Sequence, residues 1–201
     1  MKIIGLTGSI GMGKSSTAKH MEDMGVPVFD ADKCVHNLLS PGGKIVGIVG
    51  KHFPESLKRK HGLEYIDRSA LGKIIFSNNI KRKLLEKIIH PEVNQIRKTW
   101  LCWAKRRRLK AVCFDVPLLF ETGGDKNCDF IVVVSAPFFV QKQRVLKRKN
   151  MTELKFKNIL QNQIKDKDKV KYADYVVKTG IGFRFSRNSI KYIISKELNA
   201  K

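Results

Sequence analysis

The chain has 201 residues, 42% of them hydrophobic, and carries 40 Lys plus Arg against 18 Asp plus Glu, a formal charge of +22. That length suits one compact domain, or one domain with insertions, and is enough to bury a core. No apolar run approaches the ~20 residues that span a bilayer, and "MKIIGLTG" runs into glycines without a signal-peptide segment. The four cysteines, Cys34, Cys102, Cys113 and Cys128, form neither a Cys-x-x-Cys metal pair nor a disulfide framework. The expectation is a cytoplasmic protein with reduced thiols and no membrane partner.

"KIIGLTG" reads as a buried strand ending in glycine, and "KSSTAKHMEDMG" as a helix stopped at Gly25. "VPVFDAD" is a second short strand closing on two carboxylates, which completes a right-handed βαβ unit. From Lys33 to Arg108 the pattern is mainly helical, broken by "SPGGK" and "FPES", and His90–Pro91 predicts a break or a new first turn. "AVCFDVPLLF" and "DFIVVVSAP" are continuous apolar runs, as in strands covered on both faces. A basic helical segment follows from Pro137 to about Lys171, then a strand in "ADYVVKTG" and a helix in "SIKYIISKEL". The order predicts an α/β fold: a doubly wound parallel sheet with two helical insertions.

The surplus of positive charge attracts polyanions, so nucleic acid is the first partner to consider. Lysine is spread through nearly every segment, however, with local density only in "KRRRLK" (Lys105–Lys110) and from Lys142 to Lys171. No nucleic-acid-binding motif accompanies it. The expected partner is a small phosphorylated substrate and not a specific nucleic acid.

Gly8-Ser-Ile-Gly-Met-Gly-Lys14-Ser15 matches G-x-x-x-x-G-K-[ST] and lies between a predicted strand and a predicted helix. Gly8, Gly11 and Gly13 let the backbone, through Met12, curl its amides toward phosphate oxygens, and the helix starting near Ser16 adds its positive end. Lys14 reaches the β- and γ-phosphates, and the Ser15 hydroxyl can ligate Mg²⁺. The loop therefore predicts binding of a nucleoside triphosphate, ATP with Mg²⁺.

Asp30 and Asp32 end the second strand. One of them, Asp32 first, can take or orient the proton of an acceptor hydroxyl; the alternative is that both cap the helix beginning near Lys33. Asp115 ends a buried strand, the usual place for an acidic residue near Mg²⁺; the alternative is an ordinary strand-end carboxylate. Pro117 stops that strand, and the apolar residues after it, Leu118 first, can line a pocket, with Glu121 just beyond. Arg144 and Arg148 share a helix face, either to close over a polyphosphate, with Arg144 neutralising charge in the transition state and Arg148 binding the nucleotide, or as a solvated basic face.

In "GLTGSIGMGKSS", "VPVFDAD", "IIHPEV", "FDVPLLFE", "QKQRVLKR" and "ADYVVKTG" the chain resembles the dephospho-coenzyme A kinases along essentially its whole length. The resemblance implies a nucleotide-binding core at 1–32, 109–136 and 166–201, a helical acceptor-binding insertion at 33–108 and a lid at 137–165. It implies transfer of the ATP γ-phosphoryl group to the ribose 3′-hydroxyl of dephospho-coenzyme A with Mg²⁺; the expected assembly, apart from the resemblance, is a monomer or weak homo-oligomer. Asp32 takes the place of the family's catalytic base, Gly11 to Ser16 its nucleotide loop, Arg144 and Arg148 its lid arginines, and His90–Pro91 its substrate-domain motif. The chain departs from the family at three places: Ser16 replaces a threonine, Lys178–Thr179 stands where an asparagine is common near the adenine, and Lys149–Asn150 replaces an Arg-Asp pair. A kinase for another nucleoside or nucleotide fits the phosphate loop equally well, but "DAD", "HPEV" and "VPLLFE" argue against it. A GTPase would need an N-K-x-D stretch, which the chain lacks. An ATPase driven by nucleic acid would exploit the positive charge, without a motif to support it.

Overall fold

The computed structural model describes residues 1–76 and 78–199. The chain forms two compact units: Met1–Phe29 together with the chain from Ala104 onward, and Asp30–Trp103. The expected insertion, 33–108, covers nearly the same stretch as the second unit, and the segment expected as a lid, 137–165, lies within the first.

The first unit is built on a five-stranded sheet in the order β2–β5–β1–β6–β7. The strands are β1 (Lys2–Thr7), β2 (Val28–Asp30), β5 (Ala111–Asp115), β6 (Phe130–Ser135) and β7 (Tyr175–Lys178). β1 runs parallel to both β5 and β6, and β6 parallel to β7. Helices cover both faces, so the central strands are apolar on both sides. Ile4, Leu6, Val132 and Val134 pack with Met21 of α1 (Lys14–Asp23) and with Ile190 and Ile193 of α9 (Phe183–Asn199). The alternate residues of β6, Ile131 and Val133, turn to the opposite face and pack with Leu119 and with Val170 of α8 (Asp166–Lys171). Cys113 of β5 is buried, as expected of a strand thiol. The basic segment after β6 divides into α6 (Phe138–Leu146), α7 (Glu153–Gln161) and α8.

The second unit contains α2 (Ala31–Leu39), α3 (Val46–His52), α4 (Arg68–Phe76) and most of α5 (Asn79–Arg106). Two features differ from the sequence expectation. The helix predicted to break at His90–Pro91 runs through it, with Pro91 inside the 28 residues of α5. Proline deletes one amide donor, and the turns on either side supply enough bonds to carry the helix across. The stretch expected to be mainly helical also holds an antiparallel hairpin, β3 (Leu57–Lys60) and β4 (Leu63–Ile66). Its two-residue turn, His61–Gly62, has φ of 49° and 78°, the two left-handed residues of a type I′ turn. "LKRK" has neither alternating polarity nor β-branched residues, so it gives no strand signal. Among the described residues no helix is long and apolar enough to cross a membrane.

Candidate active site

The loop between β1 and α1 takes its shape from glycine. Gly11 and Gly13 have φ of 79° and 89°, and a Cβ there would stand 2.5 Å from Val145 Cγ2 and 3.0 Å from Thr179 Oγ1. Only glycine satisfies both the left-handed backbone and the close approach. Gly13 is also the N-cap of α1, and no side chain caps that end. Met12 is buried, its Sδ 3.2 Å from the Ala136 amide. Ser15 is exposed, Ser16 half-buried, and Thr17 turns its hydroxyl back to the Gly13 carbonyl.

Lys14 opens α1 and reaches Asp115, the last residue of β5, with Nζ 2.5 Å from Oδ1. The lysine side chain is 15% exposed and the aspartate 5%, so this pair is shielded from the screening that weakens surface ion pairs. Two residues earlier, burial pushes the Cys113 thiol well above its ordinary pKa, with the Asp115 charge adding to it. Cys113 is therefore a protonated packing group and not a nucleophile. After Asp115 the chain turns at Pro117, whose carbonyl accepts from Thr7 Oγ1 at 3.1 Å and from Lys169 Nζ at 3.0 Å. Pro117 is half-buried and Leu118 exposed.

The loop backbone is held from outside by side chains of later segments. Gln141 Nε2 donates to the Ile10 carbonyl at 2.8 Å, and the Ile10 amide donates to Gln163 Oε1 at 3.1 Å. Arg144 donates to the Thr179 carbonyl at 2.8 Å and to Thr179 Oγ1 at 3.0 Å, with a longer contact of 3.5 Å to the Gly11 carbonyl. The Thr179 hydroxyl donates in turn to the Met12 carbonyl at 2.6 Å. Arg144 thus holds Thr179 with its planar fork and acts on the loop mainly through the Thr179–Met12 bond, whereas Arg148, one turn on, is exposed. Gln141, Gln163 and Lys169 leave no signal in the sequence, since their partners are backbone groups or lie far along the chain. Thr179 stood out only as a departure from the family's asparagine.

The remaining expected site residues, Asp32 and His90, belong to the second unit. Asp30 caps α2, its Oδ1 accepting from the Lys33 amide at 2.9 Å. Asp32 lies in the first turn of the same helix, is exposed, and makes no side-chain hydrogen bond among the described residues. Of the two carboxylates, Asp30 is spent on the cap and Asp32 is not. Burial raises the Cys34 thiol, and the Asp30 charge raises it further. His90 is exposed on α5.

Chemically, the first unit offers an amide-rich loop with a lysine, a hydroxyl and a carboxylate around it, a set suited to a polyphosphate. A family model described as dephospho-CoA kinase matches residues 2–182. A dephospho-CoA kinase of Paramagnetospirillum magneticum is 45% identical over 169 residues, covering 84% of this chain and 78% of its own. One of Novosphingobium aromaticivorans is 45% identical over 179 residues, covering 89% and 86%. Among solved structures, TT1252 from Thermus thermophilus superposes with a TM-score of 0.82 at 29% identity, covering 98% of this chain and 97% of its own. Dephospho-CoA kinase from Campylobacter jejuni gives 0.71 at 28% identity over the same shares.

Proposed function

The chain belongs to the dephospho-CoA kinase family, and from that premise we propose that it transfers the γ-phosphoryl group of ATP to the ribose 3′-hydroxyl of dephospho-coenzyme A, giving coenzyme A and ADP. The observation that carries the proposal is the shielded Lys14–Asp115 pair at an amide-rich loop, in a chain matching that family over nearly its whole length.

In this reading the amides of Gly8 to Ser16 cradle the phosphates, and Lys14 supplies fixed positive charge where the transferred group builds negative charge. Asp32 accepts or orients the proton of the 3′-hydroxyl. Its chain neighbour Asp30 already serves as a helix cap, which leaves Asp32 as the uncommitted carboxylate. Arg144 positions the loop, and the exposed Arg148 contributes charge to the nucleotide. Pro117, Leu118 and His90 belong to the acceptor's surroundings. Residues 33–108 form the acceptor-binding insertion and 137–165 the lid.

Ser15 and Asp115 are the residues that would hold Mg²⁺. Among the described residues no group of three or more His, Cys, Asp or Glu is arranged around a metal. One hydroxyl and one carboxylate fit an ion that takes its remaining ligands from phosphates and water, as Mg²⁺ does. When bound, the ion neutralises phosphate charge. The protein is proposed to be cytoplasmic, a monomer or weak homo-oligomer, with ATP and the acceptor as partners and no specific nucleic acid.

The test is mass spectrometry of the product from ATP and dephospho-coenzyme A. Gain of one phosphoryl group on the ribose is the expected result. Phosphorylation of nucleosides or nucleotides with no conversion of dephospho-coenzyme A would select the other kinase reading.

A further inference from the structure

Within the second unit, α2, the hairpin and the start of α4 border an open cleft of about 430 Å³, within the size range of ligand sites. Leu39, Pro41 and Tyr65 are among its lining residues, together with the basic residues His36, Lys60 and Arg68. Arg68 Nη1 stands 2.8 Å from His36 Nδ1. A guanidinium only donates, so Nδ1 accepts in this contact and Nε2 is the ring's donor. The pairing leaves His36 a donor on Nε2 and Arg68 its other N–H groups, and Lys60 adds a second cation to the lining.

A carboxylate, Asp67, also lines the cavity, but its charge is already engaged. Oδ1 accepts from the Ser69 and Ala70 amides at 2.9 and 3.2 Å, and Oδ2 pairs with Lys58 at 2.6 Å. The Lys58 hydrogen bond, with those amides, holds the Asp67 carboxyl below its usual range. Among the described residues neither Lys60 nor Arg68 forms an ion pair with a carboxylate. Two unmatched cations and an oriented histidine donor, set against an apolar wall, suit a phosphate group that continues into a less polar chain.

We propose that this cavity binds the diphosphate bridge of the acceptor, with Arg68 and Lys60 contacting phosphate oxygens and His36, its tautomer fixed by Arg68, donating through Nε2. The proposal rests on the kinase reading above and adds to it the residues that recognise the acceptor at a distance from the reacting hydroxyl.

The experiment uses Arg68→Gln and Lys60→Gln in the full chain, with Lys51→Gln as a control that removes the same charge from the exposed end of α3. Steady-state kinetics are combined with calorimetric binding of dephospho-coenzyme A, and melting temperatures check folding. Arg68→Gln is expected to raise KM and Kd for dephospho-coenzyme A about tenfold or more, as loss of charge-assisted hydrogen bonds implies. KM for ATP and kcat should stay within about twofold, and Lys51→Gln should resemble the wild type. Unchanged affinity in both cavity variants overturns the proposal. So does an equal loss in Lys51→Gln, which would mean that only the general positive field matters. If the wild type binds dephospho-coenzyme A without phosphorylating it, the kinase reading fails, while the binding arm still decides the cavity's role.

Discussion

Lys169 Nζ lies 2.9 Å from Glu121 Oε1, and the lysine side chain has no solvent exposure. The same ammonium donates to the Pro117 carbonyl at 3.0 Å, and the same carboxylate oxygen accepts from the Ile164 amide at 2.9 Å. One buried pair thus ties together the turn after Asp115, the end of the 137–165 segment and α8. Breaking such a pair leaves an uncompensated buried charge. Lys169→Met should destabilise the protein by about 3–5 kcal/mol, measured by denaturant unfolding. Replacing both partners with apolar residues should recover much of the loss, and a double variant no more stable than Lys169→Met would sink this account.

Lys14→Ala should nearly abolish turnover. Loss of the fixed charge removes transition-state stabilisation of several kcal/mol, which is at least about a hundredfold in rate. Asp115 also loses its shielded partner, so stability should fall as well, and Lys14→Met should behave alike in both respects. A variant retaining more than about a tenth of the wild-type rate would show that the lysine does not act on the phosphoryl group.

Asp32→Asn should lower kcat by roughly 10²–10⁴, the usual share of a positioned general base, with little change in melting temperature because the side chain is exposed. Asp30→Asn, at the α2 cap, should cost little, since asparagine is an equally good cap. Comparison of the two variants by kcat and thermal unfolding separates base from cap. The reverse pattern would exchange the assignments.

Arg144→Lys should be more damaging than Arg148→Lys. A lysine keeps the charge but cannot donate at once to the Thr179 carbonyl and hydroxyl as the Arg144 fork does. Thr179→Val removes the other side of the same contact and the bond to Met12. The two changes should therefore be non-additive in kcat/KM and in stability, which a double-mutant cycle measures. Full additivity would mean that the contact does not set the loop.

Burial raises the Asp166 carboxyl above its ordinary pKa, and the Ser135 hydrogen bond only partly opposes this. The folded-state pKa is thus higher than the unfolded one, so the native state binds the proton more tightly. Ionisation costs stability above the folded pKa, and that cost is relieved as pH falls through it. Asp166→Asn should raise the melting temperature at neutral pH, with the gap closing in acid. A gap that widens on acidification would reverse the sign.

By itself the sequence determined the phosphate loop, the order of the sheet-forming segments and the family. The glycines, the lysine and the long apolar strands are dictated by local backbone geometry and by burial on both faces, and both leave marks on neighbouring residues. It also separated the two long insert-like stretches from the sheet, because their residue pattern changes. Continuation of α5 through Pro91 was decided by the turns on either side of it, and the hairpin at 57–66 by the left-handed pair His61–Gly62 and not by strand propensity. The roles of Gln141, Gln163, Lys169 and Thr179 also belong to the tertiary structure alone. Each is a hydrogen-bonding side chain with a backbone partner 52 to 167 residues away. A polar residue in a basic helix looks the same in sequence whether it faces water or a buried carbonyl, and only packing supplies the carbonyl.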